Sequence, residues 1–121
     1  MRSLSRKTKA GSNGIVYPFR QERKVLHEKA IINGKLYDTE KAEFLCPFKD
    51  GRILLKTKRG NYFSCVQDIR SVNEEKTDEI IETVIISHYD FREETEESVK
   101  WYIGVHELDL YIKLFGEVEE A

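Results

Sequence analysis

His88, Tyr89 and Asp90 form the one short stretch of this sequence in which a possible acid/base trio lies together. Alternate residues of a strand point to the same face, so His88 and Asp90 would share one side of a strand. Catalysis by such a pair also needs a nucleophile or a metal ion, and no motif of recognisable spacing supplies either. We therefore predict a protein without catalytic residues. The enzymatic alternative is a metal-dependent nuclease that uses His88 and Asp90.

The histidines and cysteines are too scattered to predict a metal site. Their positions are His27, Cys46, Cys65, His88 and His106. A zinc site needs three or four ligands, and structural sites repeat them at short spacing. We predict no metal and no cofactor, and we expect both cysteines to be reduced and buried as small hydrophobic residues.

Basic and aromatic residues follow one another closely between positions 52 and 63. The basic residues are Arg52, Lys56, Lys58 and Arg59, and the aromatic residues are Tyr62 and Phe63. On a strand hairpin, such a surface could bind phosphates with its cations and stack bases on its rings, with Tyr62 as the candidate ring. The structural alternative, which is the commoner one, leaves the charges in solvent and both rings in the core.

A second basic segment lies at the N-terminus. Residues 1–14 contain Arg6, Lys7 and Lys9 and almost no large apolar residue, which predicts a flexible arm. Such an arm could attract a polyanion by releasing counterions from phosphates, or it could only aid solubility. The remaining residues, 15–121, have the length of a single domain. Because no long apolar run follows the basic start, we expect no signal peptide, no membrane span and a cytoplasmic location.

The acidic residues are concentrated in the second half of the chain. Residues 1–72 hold 16 Lys/Arg against 7 Asp/Glu, whereas residues 73–121 hold 4 against 15. This split predicts one positive and one negative surface, each able to attract a different macromolecule. The acidic candidates for partner binding are Glu93, Glu94, Glu96 and Glu97, which could occupy the nucleic-acid channel of a basic protein. The alternative is that they only favour the start of a helix.

Local turn and cap signals predict the elements that would position these residues. Asn33-Gly34 predicts a hairpin over residues 30–37, and Asp38 or Thr39 would cap a short helix that Pro47 ends. A second hairpin would pair residues 52–58 with residues 61–66. A polar connection over residues 71–77 would lead to a central strand over residues 80–87, while residues 16–28 could be helix or strand.

The C-terminal segment reads as two helices. Thr95 is placed to cap the first, and Leu108, Tyr111, Ile112 and Phe115 have the spacing of a buried stripe on the second. The predicted fold class is α+β, with a small antiparallel sheet of four or five strands packed against these two helices. An exposed Trp101 would be an interface anchor, and an exposed strand over residues 80–86 could pair two copies into a homodimer.

Two motifs resemble a group of small, mostly uncharacterised proteins from Firmicutes plasmids, conjugative elements and phages. Residues 31–42 (IINGKLYDTEKA) match the group's "GK.YDT..A" hairpin. Residues 55–63 (LKTKRGNYF) match its "L.KTK.GNYF" hairpin, whose first position is Leu54. The ending with Trp101, Tyr111 and residues 114–117 is also similar. The segment before Ala30 is longer than in the group, and residues 80–90 replace a glycine-rich region. Members with an associated role look like anti-CRISPR proteins, which inhibit type II RNA-guided nucleases.

The resemblance implies a fold more directly than it implies a site, because the matched residues have the character of turns, caps and core aromatics. The leading hypothesis is a non-enzymatic inhibitor from a mobile genetic element, an anti-CRISPR protein that competes with guide RNA or DNA for a type II nuclease. Its partners would be that nuclease or its guide RNA, in the cytoplasm of a host bacterium and away from membranes. The alternative is a nucleic-acid-binding accessory protein that uses the arm and residues 52–59.

Overall fold

The structure of the protein is a computed structural model that describes residues 9–10, 15–16 and 19–121. The strands are β1 (Lys9–Ala10), β2 (Ile15–Val16), β3 (Phe19–Val25), β4 (Lys29–Ile32), β5 (Lys35–Asp38), β6 (Glu43–Phe48), β7 (Arg52–Lys56), β8 (Tyr62–Lys76) and β9 (Glu79–Glu94). The helices are α1 (Glu96–His106) and α2 (Leu108–Phe115), and a 3₁₀ turn covers Lys49–Gly51. The predicted α+β class is confirmed.

The main sheet has five strands in the order β3-β9-β8-β7-β6, and two further pairs, β1-β2 and β4-β5, form small sheets of their own. β6, β7 and β8 are antiparallel neighbours, but β3 runs parallel to β9. The prediction of a wholly antiparallel sheet is therefore wrong at this edge. Hairpin turns fix the direction of consecutive strands, whereas β3 reaches β9 only after five other strands, so no local signal sets its direction.

The chain divides into two compact units. One contains residues 1–26 and 68–87, and the other contains residues 27–67 and 88–121. That residues 15–121 form one domain stays a prediction. The first unit holds β3 and the adjoining parts of β8 and β9, and the second holds both helices, β4 to β7 and the remaining parts of β8 and β9.

In the first unit, the part of β9 at residues 80–86 lies between β3 and β8, with Ile81 and Ile86 buried. Both of its edges are occupied, so the exposed edge on which strand addition between copies depended is not present at this segment, and a homodimer stays a prediction. The predicted polar connection over residues 71–77 is also wrong, because β8 continues to Lys76 and turns at Thr77-Asp78, both with positive φ. The strand pairs through its backbone, which the polar side chains of this segment do not reveal.

In the second unit, the predicted hairpin at Asn33-Gly34 is confirmed, with φ of 52° and 76° at the two turn residues. The predicted helix after Asp38 is wrong. The carbonyl of Asp38 accepts from the amides of Lys41 and Ala42, which closes one turn, and the chain then enters β6. Helix propagation stops because the following apolar residues pair with β7, and Pro47 is tolerated because β6 is an edge strand.

Apolar residues cover both faces of β7. Leu54 packs with Val99 and Ile103 of α1, whereas Leu55 packs with Tyr37 and Phe63 on the other face. Adjacent strand residues point to opposite faces, so two clusters explain why Leu54 and Leu55 are both buried. The two C-terminal helices therefore cover one face, as predicted, and the β4-β5 hairpin contributes to the other.

The helix termini follow the predicted signals. The Thr95 hydroxyl accepts from the Ser98 amide at 3.0 Å and caps α1. At the end of α2, the Gly116 amide donates to the Ile112 carbonyl at 2.9 Å, and Gly116 has a φ of 93° that favours glycine.

Candidate functional site

The basic residues of the predicted hairpin separate into one buried residue, one half-buried residue and two exposed ones. Arg52 is 3% exposed, and its Nη1 and Nε atoms donate to Asp90 Oδ2 and Ser64 Oγ, each at 2.8 Å. Its Nη2 atom donates to the backbone carbonyls of Ser64 and Asp90. The guanidinium is thus held inside the unit by internal acceptors, and the structure does not bring it to the surface with Lys58 and Arg59.

The aromatic residues of the same hairpin also lie in the core. Tyr62 is 7% exposed and packs near the Phe115 ring, while Phe63 is fully buried against Tyr37. Burial raises the pKa of the Tyr62 hydroxyl, and the nearby Glu96 charge adds to that effect. Lys56 lies over the Tyr62 ring, with its Nζ atom 5.7 Å from the centroid. Neither ring face is available for stacking a base.

Lys58 and Arg59 line an open cavity of about 540 Å³ together with two other segments of the second unit. The lining residues are Gly34, Lys35, Leu36, Tyr37, Asp38, Lys41, Ala42, Thr57, Lys58, Arg59 and Asn61. They come from β5 and its turn, from the turn before β6, and from the loop between β7 and β8. We call this cavity the cationic pocket, because Lys35, Lys41, Lys58 and Arg59 all line it.

The loop between β7 and β8 is closed by its own hydrogen bonds. The Thr57 amide donates to the Asn61 carbonyl at 2.8 Å, and the Gly60 amide donates to the Thr57 carbonyl at 2.9 Å. The Asn61 amide donates to Thr57 Oγ1 at 3.0 Å, and Gly60 has a φ of 90°. The tight loop leaves Lys58 and Arg59 exposed at its tip.

The β5 wall of the cationic pocket is tied to the end of β9 by Glu93. The Tyr37 hydroxyl donates to the Glu93 carboxylate, and Asn33 Nδ2 donates to Glu93 Oε1 at 2.6 Å. Burial raises the pKa of Tyr37 to about 12, with the hydrogen bond to Glu93 as the second cause. The pKa of Glu93 is lowered, chiefly by the Tyr37 hydrogen bond and then by Asn33.

The third wall is the turn after β5. The Thr39 amide donates to the Glu28 carbonyl at 3.1 Å, which ties the start of β4 to the turn. Asp38, the one carboxylate in the lining, is buried and accepts from the Glu40 amide at 2.9 Å through Oδ1. Lys41 is exposed at this wall. The negative charge of Asp38 is therefore partly committed to the local turn.

The cations of the pocket have few competing partners. Among the described residues, Lys41, Lys58 and Arg59 form no salt bridge, and Lys35 interacts electrostatically with Glu93. Several other cations of the unit are engaged, as Arg92 is with Asp90 at 3.1 Å. A concave site with several unpaired cations and one committed carboxylate attracts anions.

The four acidic candidates fall into two different environments. Glu93 ties down the β4-β5 hairpin, and Glu94 Oε2 accepts from the buried Ser64 hydroxyl at 2.7 Å. Glu96 and Glu97 are exposed in the first turn of α1, with Glu96 Oε1 lying 3.9 Å from Lys100 Nζ. The structure thus gives two of these carboxylates internal partners and leaves two at the surface.

Of the remaining candidates, the arm residues are not described with side chains, and His88 and Asp90 contact other residues. Arg6 and Lys7 lie outside the described residues, and of Lys9 only the backbone, in β1, is described. His88 is 8% exposed, with its Nε2 3.3 Å from Gln67 Nε2, while Asp90 is paired with Arg52. Within residues 9–10, 15–16 and 19–121, no group of three or more His, Cys, Asp or Glu side chains could hold a metal ion.

Sequence reasoning missed Lys35 and Lys41 as pocket residues. A signal was present for Lys35, which belongs to the GK.YDT..A motif, whereas Lys41 stands at an unspecified position of that motif. The L.KTK.GNYF motif contains Lys58. These two motifs form facing parts of the cationic pocket. The residues on which the resemblance rests therefore also line the cavity, in addition to forming turns and core contacts.

Comparison with protein-family models, with curated proteins and with solved structures finds no match for this chain. In the part of the chain that the structure describes, no helix is long and apolar enough to cross a membrane.

Trp101, the only tryptophan, lies on α1 and is 72% exposed.

Proposed function

We propose that this chain is a non-enzymatic nucleic-acid-binding protein that holds phosphate groups in the cationic pocket. The observation that carries the proposal is the convergence of Lys35, Lys41, Lys58 and Arg59 on one cavity from three segments of the chain. Of the two hypotheses drawn from the sequence, this geometry favours the nucleic-acid-binding one, although with a different set of residues.

The chemistry of the lining suits phosphate oxygens. Arg59 can donate two parallel hydrogen bonds to one phosphate, and each lysine adds a compact positive charge. Because Lys41, Lys58 and Arg59 form no salt bridge among the described residues, a phosphate would not have to displace a carboxylate from them. Counterion release from the nucleic acid would supply most of the affinity.

The lack of an accessible aromatic ring among the residues that line the cationic pocket bears on how a nucleic acid would be recognised. Tyr37 is the one aromatic residue in the lining and is 2% exposed, and Tyr62 is buried beside Phe115. Single-strand binding proteins usually combine a basic groove with exposed rings that stack bases. Here recognition would act through phosphates, which position a nucleic acid without reading its sequence.

In a mobile genetic element, this activity would make the protein an anti-CRISPR inhibitor that takes up the guide RNA of a type II nuclease in the host cytoplasm. A second route is electrostatic competition by the exposed carboxylates of Glu96 and Glu97, which could enter a basic channel of the nuclease. The exposure of this pair at the start of α1 is the observation that favours the second route.

Binding to a fluorescently labelled guide RNA, measured by anisotropy over a range of salt concentrations, tests the proposal. We expect the logarithm of the binding constant to fall linearly with the logarithm of salt concentration. The double variant Lys58→Gln/Arg59→Gln should bind at least about tenfold more weakly at low salt, with a salt slope smaller by about 2. No binding of the unaltered chain at low salt would contradict the proposal.

A matched control removes two cations of the same unit outside the pocket. Lys49→Gln/Lys113→Gln changes the net charge equally, and neither residue lines the cavity. We expect the control to keep most of the affinity and of the salt slope. An equal loss in both double variants would mean that only the overall charge matters and that the pocket has no special role.

A nuclease assay separates the two routes to inhibition. Target cleavage by a type II RNA-guided nuclease is measured with the unaltered protein, with the pocket variant and with Glu96→Lys/Glu97→Lys. Capture of guide RNA predicts that the pocket variant fails to inhibit and that the acidic variant still inhibits. The opposite pattern would support electrostatic competition by α1.

A further inference from the structure

The shape and charge of the cationic pocket narrow the class of its ligand. We propose that the pocket binds a compact run of linked phosphates, the chemistry that a 5′-triphosphate end of RNA shares with free polyphosphate. If the linked phosphates belong to RNA, this inference rests on the proposed function. It then adds that the protein binds the 5′ end of the RNA. The alternative is a groove that holds phosphates anywhere along the backbone.

The dimensions of the cavity fit a small group better than a stretch of polymer. Its volume of about 540 Å³ falls within the range of about 300–1,000 Å³ that is typical of small-molecule sites. Grooves that follow a single strand extend over several nucleotides and need cations spaced along their length. Two other lysines of the second unit do not extend the pocket into such a groove. Lys49 donates to Ser98, Lys56 lies over the Tyr62 ring, and both are outside the lining.

The charge density of the lining also favours a compact group of phosphates over a stretch of polymer. The lining contains four cations and one carboxylate, and that carboxylate, on Asp38, accepts from the Glu40 amide. An internal phosphodiester carries a single negative charge, whereas linked terminal phosphates place several charges within a few ångströms. Only linked terminal phosphates would engage cations from all three walls at once, and each charge-assisted hydrogen bond adds affinity.

The neutral polar groups of the lining can add donors to phosphate oxygens. Thr57 Oγ1 accepts from the Asn61 amide, which leaves the hydroxyl hydrogen able to donate to a ligand. Asn61 lines the same cavity, and its side chain carries an amide that could donate to a phosphate oxygen. Gly34 lines the β5 wall with no side chain of its own, and no atom outside Gly34 and its two chain neighbours lies within 4 Å of the position that a Cβ would take there.

The test compares two RNAs of identical sequence that carry either a 5′-triphosphate or a 5′-hydroxyl, with anisotropy as the readout. Tripolyphosphate and inorganic phosphate serve as unlabelled competitors, and sodium chloride at matched ionic strength controls for screening. We expect the triphosphate RNA to bind at least about tenfold more tightly, the equivalent of one charge-assisted hydrogen bond. We also expect tripolyphosphate to compete where sodium chloride does not.

Variants assign the effect to the pocket. Lys41→Gln/Lys58→Gln should lose the preference for the triphosphate end, whereas Lys49→Gln/Lys113→Gln should keep it. Circular dichroism checks that each variant is folded, and the direct binding of tripolyphosphate, measured by calorimetry, gives a second readout. A preference that survives in Lys41→Gln/Lys58→Gln would overturn the assignment to this pocket.

The outcomes distinguish this inference from the proposed function. Equal binding of the two RNAs, with no competition by tripolyphosphate, would overturn the inference and leave nucleic-acid binding in place. Binding of tripolyphosphate without binding of either RNA would support the inference and overturn the proposed function. Failure of all three ligands to bind would overturn both.

Discussion

Arg52 and Asp90 form an ion pair that joins the interior of the second unit to its surface. Arg52 Nη1 lies 2.8 Å from Asp90 Oδ2, and the two side chains are 3% and 45% exposed. Asp90 has a φ of 58° within β9, a conformation that is uncommon for residues other than glycine. The hydrogen bond from Arg52 is the main cause that lowers the pKa of Asp90. The pair thus fixes an irregular point of β9 against β7.

We expect Arg52→Met to destabilise the protein by about 3 kcal/mol, because it removes the buried donor for Ser64 and Asp90. Urea unfolding at neutral pH measures the change. Arg59→Met is the matched control, since Arg59 is exposed and should change stability by at most about 0.5 kcal/mol. Similar costs for the two variants would contradict the internal role of Arg52.

The Glu93 hydrogen bonds predict a dependence of stability on acid pH. The folded-state pKa of Glu93 is below the ordinary value of 4.5, so its contribution is present above that value and is lost as the pH falls through the folded-state pKa. Glu93→Gln should lack this part of the acid-induced loss of stability. Urea unfolding between about pH 7 and about pH 3 measures the free energy of unfolding of both proteins.

A control for this pH series uses the neighbouring acidic residue. Glu97 is exposed and makes no side-chain hydrogen bond among the described residues, so Glu97→Gln should retain the pH dependence of the unaltered chain. Asp90, whose pKa is also lowered, should leave a residual slope in Glu93→Gln. If Glu93→Gln and the unaltered chain lost stability in parallel, the tie between Glu93 and the β4-β5 hairpin would be refuted.

Tyr37 should show the opposite behaviour at alkaline pH. Its pKa is raised from 10.0 to about 12, so the neutral hydroxyl stabilises the fold below pH 10 and the contribution is lost as the pH rises through about 12. An absorbance titration should therefore contain a tyrosine transition at about pH 12 that is absent in Tyr37→Phe, while the raised transition of Tyr62 remains in that variant. A wild-type titration in which all tyrosines ionise near their ordinary pKa would exclude the buried Tyr37–Glu93 hydrogen bond.

The parts of the fold that could be predicted from the sequence are those that local signals specify. Asn33-Gly34 sets the backbone of one hairpin, and Thr95 sets the start of α1, because each residue acts on its immediate neighbours. The continuation of β8 to Lys76 and the parallel pairing of β3 depend on distant partners instead. No local pattern in residues 71–76 indicates those partners, so the sequence predicted a loop there.

Only some residues of the candidate site could be predicted from the sequence. Lys58 and Arg59 follow from a basic hairpin loop, but Lys35 and Lys41 reach the same cavity only because the β4-β5 hairpin packs on β8. The Tyr37 and Phe63 rings, with centroids 5.0 Å apart, make that contact. The burial of Arg52 could not be predicted either, since its acceptor Asp90 lies on a different strand.

The exposure of Trp101 gives a prediction that separates packing from partner binding. Trp101 is 72% exposed on α1, whereas Val99 and Ile103 on the opposite side of the helix are fully buried. We expect Trp101→Ala to change stability by at most about 0.5 kcal/mol, and Ile103→Ala to cost about 2–5 kcal/mol. Far-ultraviolet circular dichroism follows unfolding in both variants, since fluorescence is lost with the only tryptophan.

A large cost for Trp101→Ala would mean that the indole is packed in solution, against the exposure that the structure gives it. A small cost makes Trp101 available as an interface anchor, because exposed tryptophans are frequent hot spots of protein interfaces. The nuclease assay then shows whether inhibition depends on α1 or on the cationic pocket alone. If α1 contacts the nuclease, Trp101→Ala should weaken inhibition as Glu96→Lys/Glu97→Lys does, and if the pocket alone captures guide RNA, inhibition should be unchanged.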